Sequence, residues 1–451
     1  MLAGVVLLPA LTRMLVPTDM GLVAVVLIVI QFGTILMGLG LSLSIVRHAI
    51  LEESGLPGAR GLVVSSLLTA GVICTLGLLS GQWWSQLLLS QPWVLALGLA
   101  VVAAAAAAVV ANVQALLRAE DRAWLFVALA SAGTLMGPLV GILIMVTTER
   151  TPRAYVVGLA LAYVCAAAYG VVFVIRSGEV LYRRRELALA LRVGLPTIPH
   201  QLALALAIGA MVIVTTRYFG LDDPKDRLAA SARLYVALSI AIVPTYVTSA
   251  LNNAWAPLVM RAPASERGET IDKTAVDIGW IAACVSTGIA LLAPWAIQIV
   301  APAKYSVSEL VPVVAVVSTV AVLSVTYLAS SHLVFVSGRT SGLAIGTPIS
   351  LGAGVLTAIL LVRPLGLFGA SFGIVAMYVC LAFSTWVLSR FVSQDHWSPL
   401  VMVPPTALAL GGALLGGLLP YDGLGTGLRV ALSLVVGLFG LRVLRRAMRP
   451  A

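Results

Sequence analysis

His48, His200, His332 and His396 are the side chains of this 451-residue chain best suited to proton or metal chemistry. They form no metal-ligand pattern with one another or with carboxylates. No glycine loop followed by its lysine is present to cradle phosphates, so ATP-driven work is not expected from this chain alone. Cys74, Cys165, Cys284 and Cys380 each fall inside an apolar run, where a lone thiol behaves as a small hydrophobe. The remaining chemistry lies in polar groups kept inside apolar runs, where a charge costs on the order of 3 kcal/mol and an amide needs a partner. Acidic residues are missing from every expected helix centre, since Asp19, Asp277 and Glu309 lie near expected ends. A carboxylate site for sodium or protons is therefore not visible. His200 and His332 are the proton-coupling candidates, because an imidazole with an ordinary pKa near ~6.5 titrates in the working range. The plain alternative is a packed ring hydrogen-bonded to a neighbouring carbonyl. Gln31, Gln201, Asn252 and Asn253 are among the embedded amides. Gln31, Asn252 and Asn253 are candidates for binding a polar substrate. Arg47 and Arg118, at the ends of apolar runs, qualify by position to hold an anionic group, because a guanidinium grips phosphate with two parallel bonds. Gln114 stands four residues before Arg118 and shares its helix face. Gln31 and Arg47 lie about 160° apart on a straight helix, and share a face only if Gly38 and Gly40 bend it. The plain alternative for both arginines is an orientation signal at the headgroups.

The elements that must position these groups follow from composition. Apolar residues make up 60% of the chain and charged ones 10%, against roughly 45–50% and 25% in soluble domains, so the implied solvent is a bilayer. Lipid offers the backbone no hydrogen bonds and period-two alternation is absent, so the runs are helices and not barrel strands. At ~20 residues per crossing they predict an all-α integral membrane protein of about fourteen transmembrane helices. The first, over 1–16, is short and carries Arg13 near its end, which fits a tilted helix or a start upstream of Met1. The second is expected over 20–46, the eighth over 233–254, and the eleventh and twelfth over 342–362 and 364–389. No cleavable leader is expected. The net charge of +10 comes from basic residues in short hops between apolar runs, which reads as orientation rather than as a nucleic-acid surface. With the N-terminus inside, 18 of the 28 basic residues, Arg449 among them, fall on the cytoplasmic side. Both termini are then cytoplasmic, and Trp83, Trp84 and Trp93 flank an uncharged outer loop. The segment "RSGEVLYRRRELALALR" divides the chain. The expected order is an N-terminal six-helix bundle at 1–176, a basic cytoplasmic linker at 177–193, a C-terminal six-helix bundle at 194–390 and an additional helix pair at 399–444. "LTRMLVPTDMG" and "VTTRYFGLDD" end corresponding helices of the two bundles, a weak repeat of the kind secondary transporters use, with the substrate held between halves.

"LLPALTRMLVPTDMG" resembles the opening of the polysaccharide transporter family, within the multidrug, oligosaccharidyl-lipid and polysaccharide flippase superfamily. "ANVQALLRAEDRAWLFVALASA", "VGLPTIPHQLALAL" and "RPLGLFGASFGIVAMYV" fit the family's order of segments across nearly the whole chain. The resemblance implies a pair of six-helix bundles working by alternating access and moving a lipid-linked oligosaccharide across the bacterial inner membrane. It also implies a polysaccharide polymerase or glycosyltransferases as partners, and no nucleic acid or cofactor. Two departures narrow it. Lipid II flippases line the first bundle with several arginines and an acid, whereas helix 2 here offers Gln31, and the Asp-Arg pair of many oligosaccharide flippases is reduced to Arg217. The alternatives are an ion-coupled multidrug exporter or lipid II flippase of the same superfamily, and, in a different class, a polytopic O-antigen polymerase or ligase. The exporter should show a buried carboxylate, and the enzyme a long outer loop bearing Arg, His or acids. Neither is seen.

Overall fold

The structure is a computed structural model that describes residues 2–220, 222–337 and 339–447. Among the described residues it is all-α, and it divides into two compact units that meet in sequence at Gly209 and Ala210.

The N-terminal unit holds α1 (Leu2–Met14), α2 (Pro17–Gly38), α3 (Leu41–Leu51), α4 (Gly55–Leu79), α5 (Gly81–Leu89), α6 (Leu95–Ala119), α7 (Ala123–Ser131), α8 (Gly137–Thr147), α9 (Pro152–Arg176) and α10 (Arg184–Gly194). The next helix, α11 (Ile198–Tyr218), contains the boundary. Alanine-rich α6 is the centre of this unit. Its small side chains let neighbours approach closely, and a methyl added at Gly33 of α2 would stand 2.6 Å from Ala104 Cβ. α7 and α8 form one run through a π-helical turn at Ala132–Met136. The expected second helix is broken. Leu39 and Gly40 are both left-handed, with φ of 52° and 66°, so the chain leaves α2 and restarts as α3. Gly40 is required there, because a Cβ would collide with the Gly194 backbone. That contact, together with the Ser44 Oγ bond to the Ala190 carbonyl at 2.8 Å, docks the basic linker helix α10 on α3. The uncharged loop expected near Trp83 is helical as α5. There Trp84 donates from Nε1 to the Gly77 carbonyl at 2.9 Å and meets Trp93 edge-on.

The C-terminal unit holds α12 (Pro224–Ala241), α13 (Val243–Arg261), α14 (Ala264–Val300), α15 (Val307–Ser318), α16 (Val320–Ser337), α17 (Leu343–Val392), α18 (Val403–Leu418) and α19 (Gly423–Ala447). The expected eighth helix is again two, since α12 and α13 meet at 41° across Ile242. α14 is bound on both flanks by hydroxyls: Ser286 donates to the Ser318 carbonyl at 2.7 Å and Thr287 to the Leu408 carbonyl at 3.2 Å. Gly412 and Gly416 of α18 press against Thr287 and Ala290 of the same helix.

Among the described residues, eleven helical runs are long and apolar enough to cross a membrane, or twelve if the bent α12–α13 pair is one span. The difference from fourteen has a physical origin. α1, with 13 residues, reaches only ~20 Å at 1.5 Å per residue, short of a ~30 Å hydrocarbon core. α17 counts once but holds both the expected eleventh and twelfth helices, which meet at a break at Gly366, whose φ of 61° and ψ of −143° no helix allows, and which pack on each other where Gly354 meets Gly373. Arg449, counted in the orientation argument, lies outside the described residues.

Candidate functional site

In the N-terminal unit Arg47 is the last arginine of α3, exposed, and paired with Glu52 Oε1 at 2.8 Å. Gln31 is exposed in the interior of α2. The left-handed step at Leu39 and Gly40 puts these two residues on separate helices, so the 160° separation of a straight helix does not apply. Gln114 and Arg118 do converge, and on one residue. Gln114 Nε2 donates to the Phe126 carbonyl at 3.1 Å, and the Arg118 guanidinium lies 5.7 Å from the Phe126 ring centroid. The Gln114 amide therefore helps close the α6–α7 turn, and Arg118 is exposed beside it. His200, half-buried near the start of α11, belongs to this unit, and its neighbour Gln201 bonds to Thr197 Oγ1 at 3.0 Å.

Sequence reasoning took Arg60 and Arg122 as orientation signals only. The structure closes them on Glu120: Arg60 Nη2 reaches Oε1 at 2.7 Å and Arg122 Nε reaches Oε2 at 3.1 Å. Arg122 also covers the Phe173 ring at 5.0 Å. One buried carboxylate thus ties the ends of α4 and α6 together, with α9 beneath. The acid was visible in the "AEDR" segment, but its partners sit on other elements.

In the C-terminal unit the structure brings Asn252 and His332 together. His332 Nε2 lies 2.9 Å from Asn252 Oδ1, and the imidazole meets the Trp255 ring edge-on at 4.6 Å. With 3% exposure, His332 is a core residue between α16 and α13. Its Nδ1 and Trp255 Nε1 are both buried without a partner among the described residues. Asn253, the next residue round α13, is exposed. Sequence reasoning missed the feature beside it. The α12–α13 break carries Tyr235 before it and Tyr246 after it, and the one signal was Pro244 in "IAIVPTYV". No group of three or more metal-ligating side chains comes together among the described residues.

The arrangement offers amides, phenols and guanidinium groups, which bind; in the N-terminal unit the Ser54 hydroxyl lies 2.7 Å from His48 Nε2, between α3 and α4. Against known proteins, no family model and no curated sequence matches the chain. Solved structures do match. The lipid II flippase MurJ in an inward closed conformation is 9% identical, with 99% of this chain and 97% of that one covered and a TM-score of 0.72. A multidrug resistance MATE family transporter of the MOP superfamily is 18% identical in its inward-facing structure, covering 90% and 94% with a TM-score of 0.64. Its outward-facing counterpart covers 90% and 98% at 18% identity and 0.56. The chain is an all-α membrane protein with the fold of these transporters.

Proposed function

We propose that this chain is a secondary transporter that flips a polyprenyl diphosphate-linked oligosaccharide across the bacterial inner membrane, by alternating access, for assembly of a cell-surface polysaccharide. The observation that carries this reading is the kind of polar group kept in the spans. Exposed Gln31 and Asn253 are neutral amides, whereas Asp19 and Glu309 lie in first turns; Asp277, expected near a helix end, lies instead thirteen residues inside α14 because that helix starts at Ala264. An exporter of organic cations has a use for a carboxylate in mid-span, and a flippase for an uncharged glycan does not. The full-length likeness to a lipid-carrier flippase supports the same reading. Arg47 and Arg118 are then the groups for the diphosphate, and the apolar helix flanks take the polyprenyl tail. Two six-helix bundles, a cytoplasmic basic linker and cytoplasmic termini complete the scheme, with a polymerase taking the product on the far side.

The likeness to MATE transporters keeps cation export as the second reading. Depletion of the protein in its own cells separates the two. Flipping predicts that lipid-linked oligosaccharide accumulates on the cytoplasmic leaflet while ethidium efflux is unchanged. Loss of ethidium efflux with a normal carrier distribution would sink the proposal.

A further inference from the structure

His48 stands where α3, the start of α4 and the linker helix α10 meet, and its side chain is 5% exposed. Its Nε2 lies 2.7 Å from the Ser54 hydroxyl, just before α4, and 3.6 Å from Glu186 Oε2 on α10. Gly58, in the first turn of α4, leaves room for the ring, since a methyl there would come within 2.5 Å of Nε2. Glu186 Oε2 is buried and has no hydrogen-bond partner among the described residues. The other oxygen, Oε1, has Arg183 at 3.7 Å, but that arginine is 61% exposed, so water screens the attraction. The inward carboxylate oxygen therefore depends on the His48 ring for a neutralising charge.

Imidazole is the side chain whose ordinary chemistry changes its charge between about pH 5 and 8. A neutral ring exchanges one hydrogen bond through Nε2, and Ser54 takes it, which leaves Oε2 a buried, unpaired acceptor. A protonated ring keeps that bond by donating to Ser54 Oγ and adds a positive charge 3.6 Å from Oε2. The other charges on the elements packed against α3 are engaged or turned outward. Arg47 of α3 is held by Glu52, Arg60 of α4 by Glu120, and Arg118 of α6 lies over Phe126. Arg184, Arg185 and Arg192 are on the exposed face of α10, and Glu53 is exposed ahead of α4. The remaining ties of the linker are neutral: Leu181 N–H donates to the Pro57 carbonyl at 2.9 Å, Ser44 Oγ to the Ala190 carbonyl at 2.8 Å, and Gly40 rests on Gly194. These hold at any pH, so the histidine and the carboxylate set how firmly α10 is seated.

We propose that His48 and Glu186 form a proton-binding site that tightens the seat of α10 on the N-terminal unit when occupied and loosens it when empty. The proposal rests on the reading of 177–193 as the cytoplasmic linker of a secondary transporter. Double electron–electron resonance on the purified full chain tests it, with the native cysteines replaced and spin labels on Gln86→Cys of α5 and Arg184→Cys of α10, both exposed positions. The distance distribution is expected to be narrow at about pH 5.5 and roughly twice as wide at about pH 8. His48→Gln and Glu186→Gln should each remove that pH dependence. Ser54→Ala, which deletes the hydroxyl and keeps both titrating groups, should retain it. A parent distribution that ignores pH overturns the site without any variant, and so does a pH dependence that survives both glutamine changes. Dependence lost in Ser54→Ala but kept in Glu186→Gln would make the hydroxyl the partner, and also overturns it. Melting temperatures check folding, and either glutamine variant decides if the other does not fold. Distances are read without substrate, so flipping is separate. A chain that shows the response but flips no lipid-linked sugar keeps the site and loses the function proposed above.

Discussion

Arg118 and Gln114 share Phe126, and that contact divides their roles. The amide is occupied within the protein, while the guanidinium stays exposed over an aromatic face. If Arg47 and Arg118 hold the diphosphate, Arg47→Lys and Arg118→Lys should preserve abundance and topology, since either cation satisfies the orientation rule, and should slow flipping about tenfold, because an ammonium cannot make the bidentate contact. Parental flipping rates in both variants would reduce these residues to orientation signals. Glu120 supplies an independent test of packing. Its carboxylate is 5% exposed between two arginines, so Glu120→Gln should leave Arg60 uncompensated and destabilise the protein by about 3 kcal/mol, read from thermal unfolding in detergent. Arg60→Gln/Glu120→Gln should recover part of that loss. Residue types were legible in the sequence here, and partners were not. The Arg47 pairing with Glu52 is local enough to infer, whereas His332 with Asn252 and Trp255 needed the packing of α16 on α13.

Long apolar runs announce spans well, as with the alanine-rich run that forms α6 over Leu95–Ala119. Their interruptions are harder to see, because a left-handed pair such as Leu39–Gly40, or a proline one residue past a helix start, sits within an unbroken hydropathy signal. Gly40→Ala is expected to destabilise by about 1–2 kcal/mol from its left-handed backbone alone, with more from the collision with Gly194. A melting curve identical to the parent's would show that the break tolerates a side chain. Arg429 is the larger surprise. In the sequence it counts as one more basic residue on the outer side, yet it is fully buried in α19. Its guanidinium donates to the carbonyls of Leu291, Gly416, Leu419 and Pro420, so it closes the C-terminal end of α18 and ties the last helix pair to α14. Lysine has three donors on one nitrogen and cannot span four carbonyls. Arg429→Lys should therefore lower the melting temperature and expose the 419–423 turn to protease. An unchanged protease pattern would contradict the anchoring role.

The fold of the whole chain was legible because solvent chooses it: composition requires a bilayer, and a bilayer requires helices. The number of spans was less so, since α1 is too short to count and the expected eleventh and twelfth helices join directly at the Gly366 kink of α17. Orientation rests on charge and can be measured directly. With the four native cysteines replaced, a membrane-impermeant maleimide should label Gln86→Cys on α5 from outside intact cells, and Arg184→Cys on α10 only after permeabilisation. The reverse pattern would invert the topology and remove Arg47 and Arg118 from the cytoplasmic side. Transport itself has the most direct test. The purified chain is reconstituted into liposomes carrying a fluorescent undecaprenyl diphosphate-linked sugar, and dithionite bleaches the label exposed on the outer leaflet. A flippase delivers label from the inner leaflet, so bleaching should proceed well beyond the roughly half set by a two-leaflet distribution. Bleaching that stops at the protein-free level, with the chain folded and correctly inserted, would contradict flipping of lipid-linked sugars.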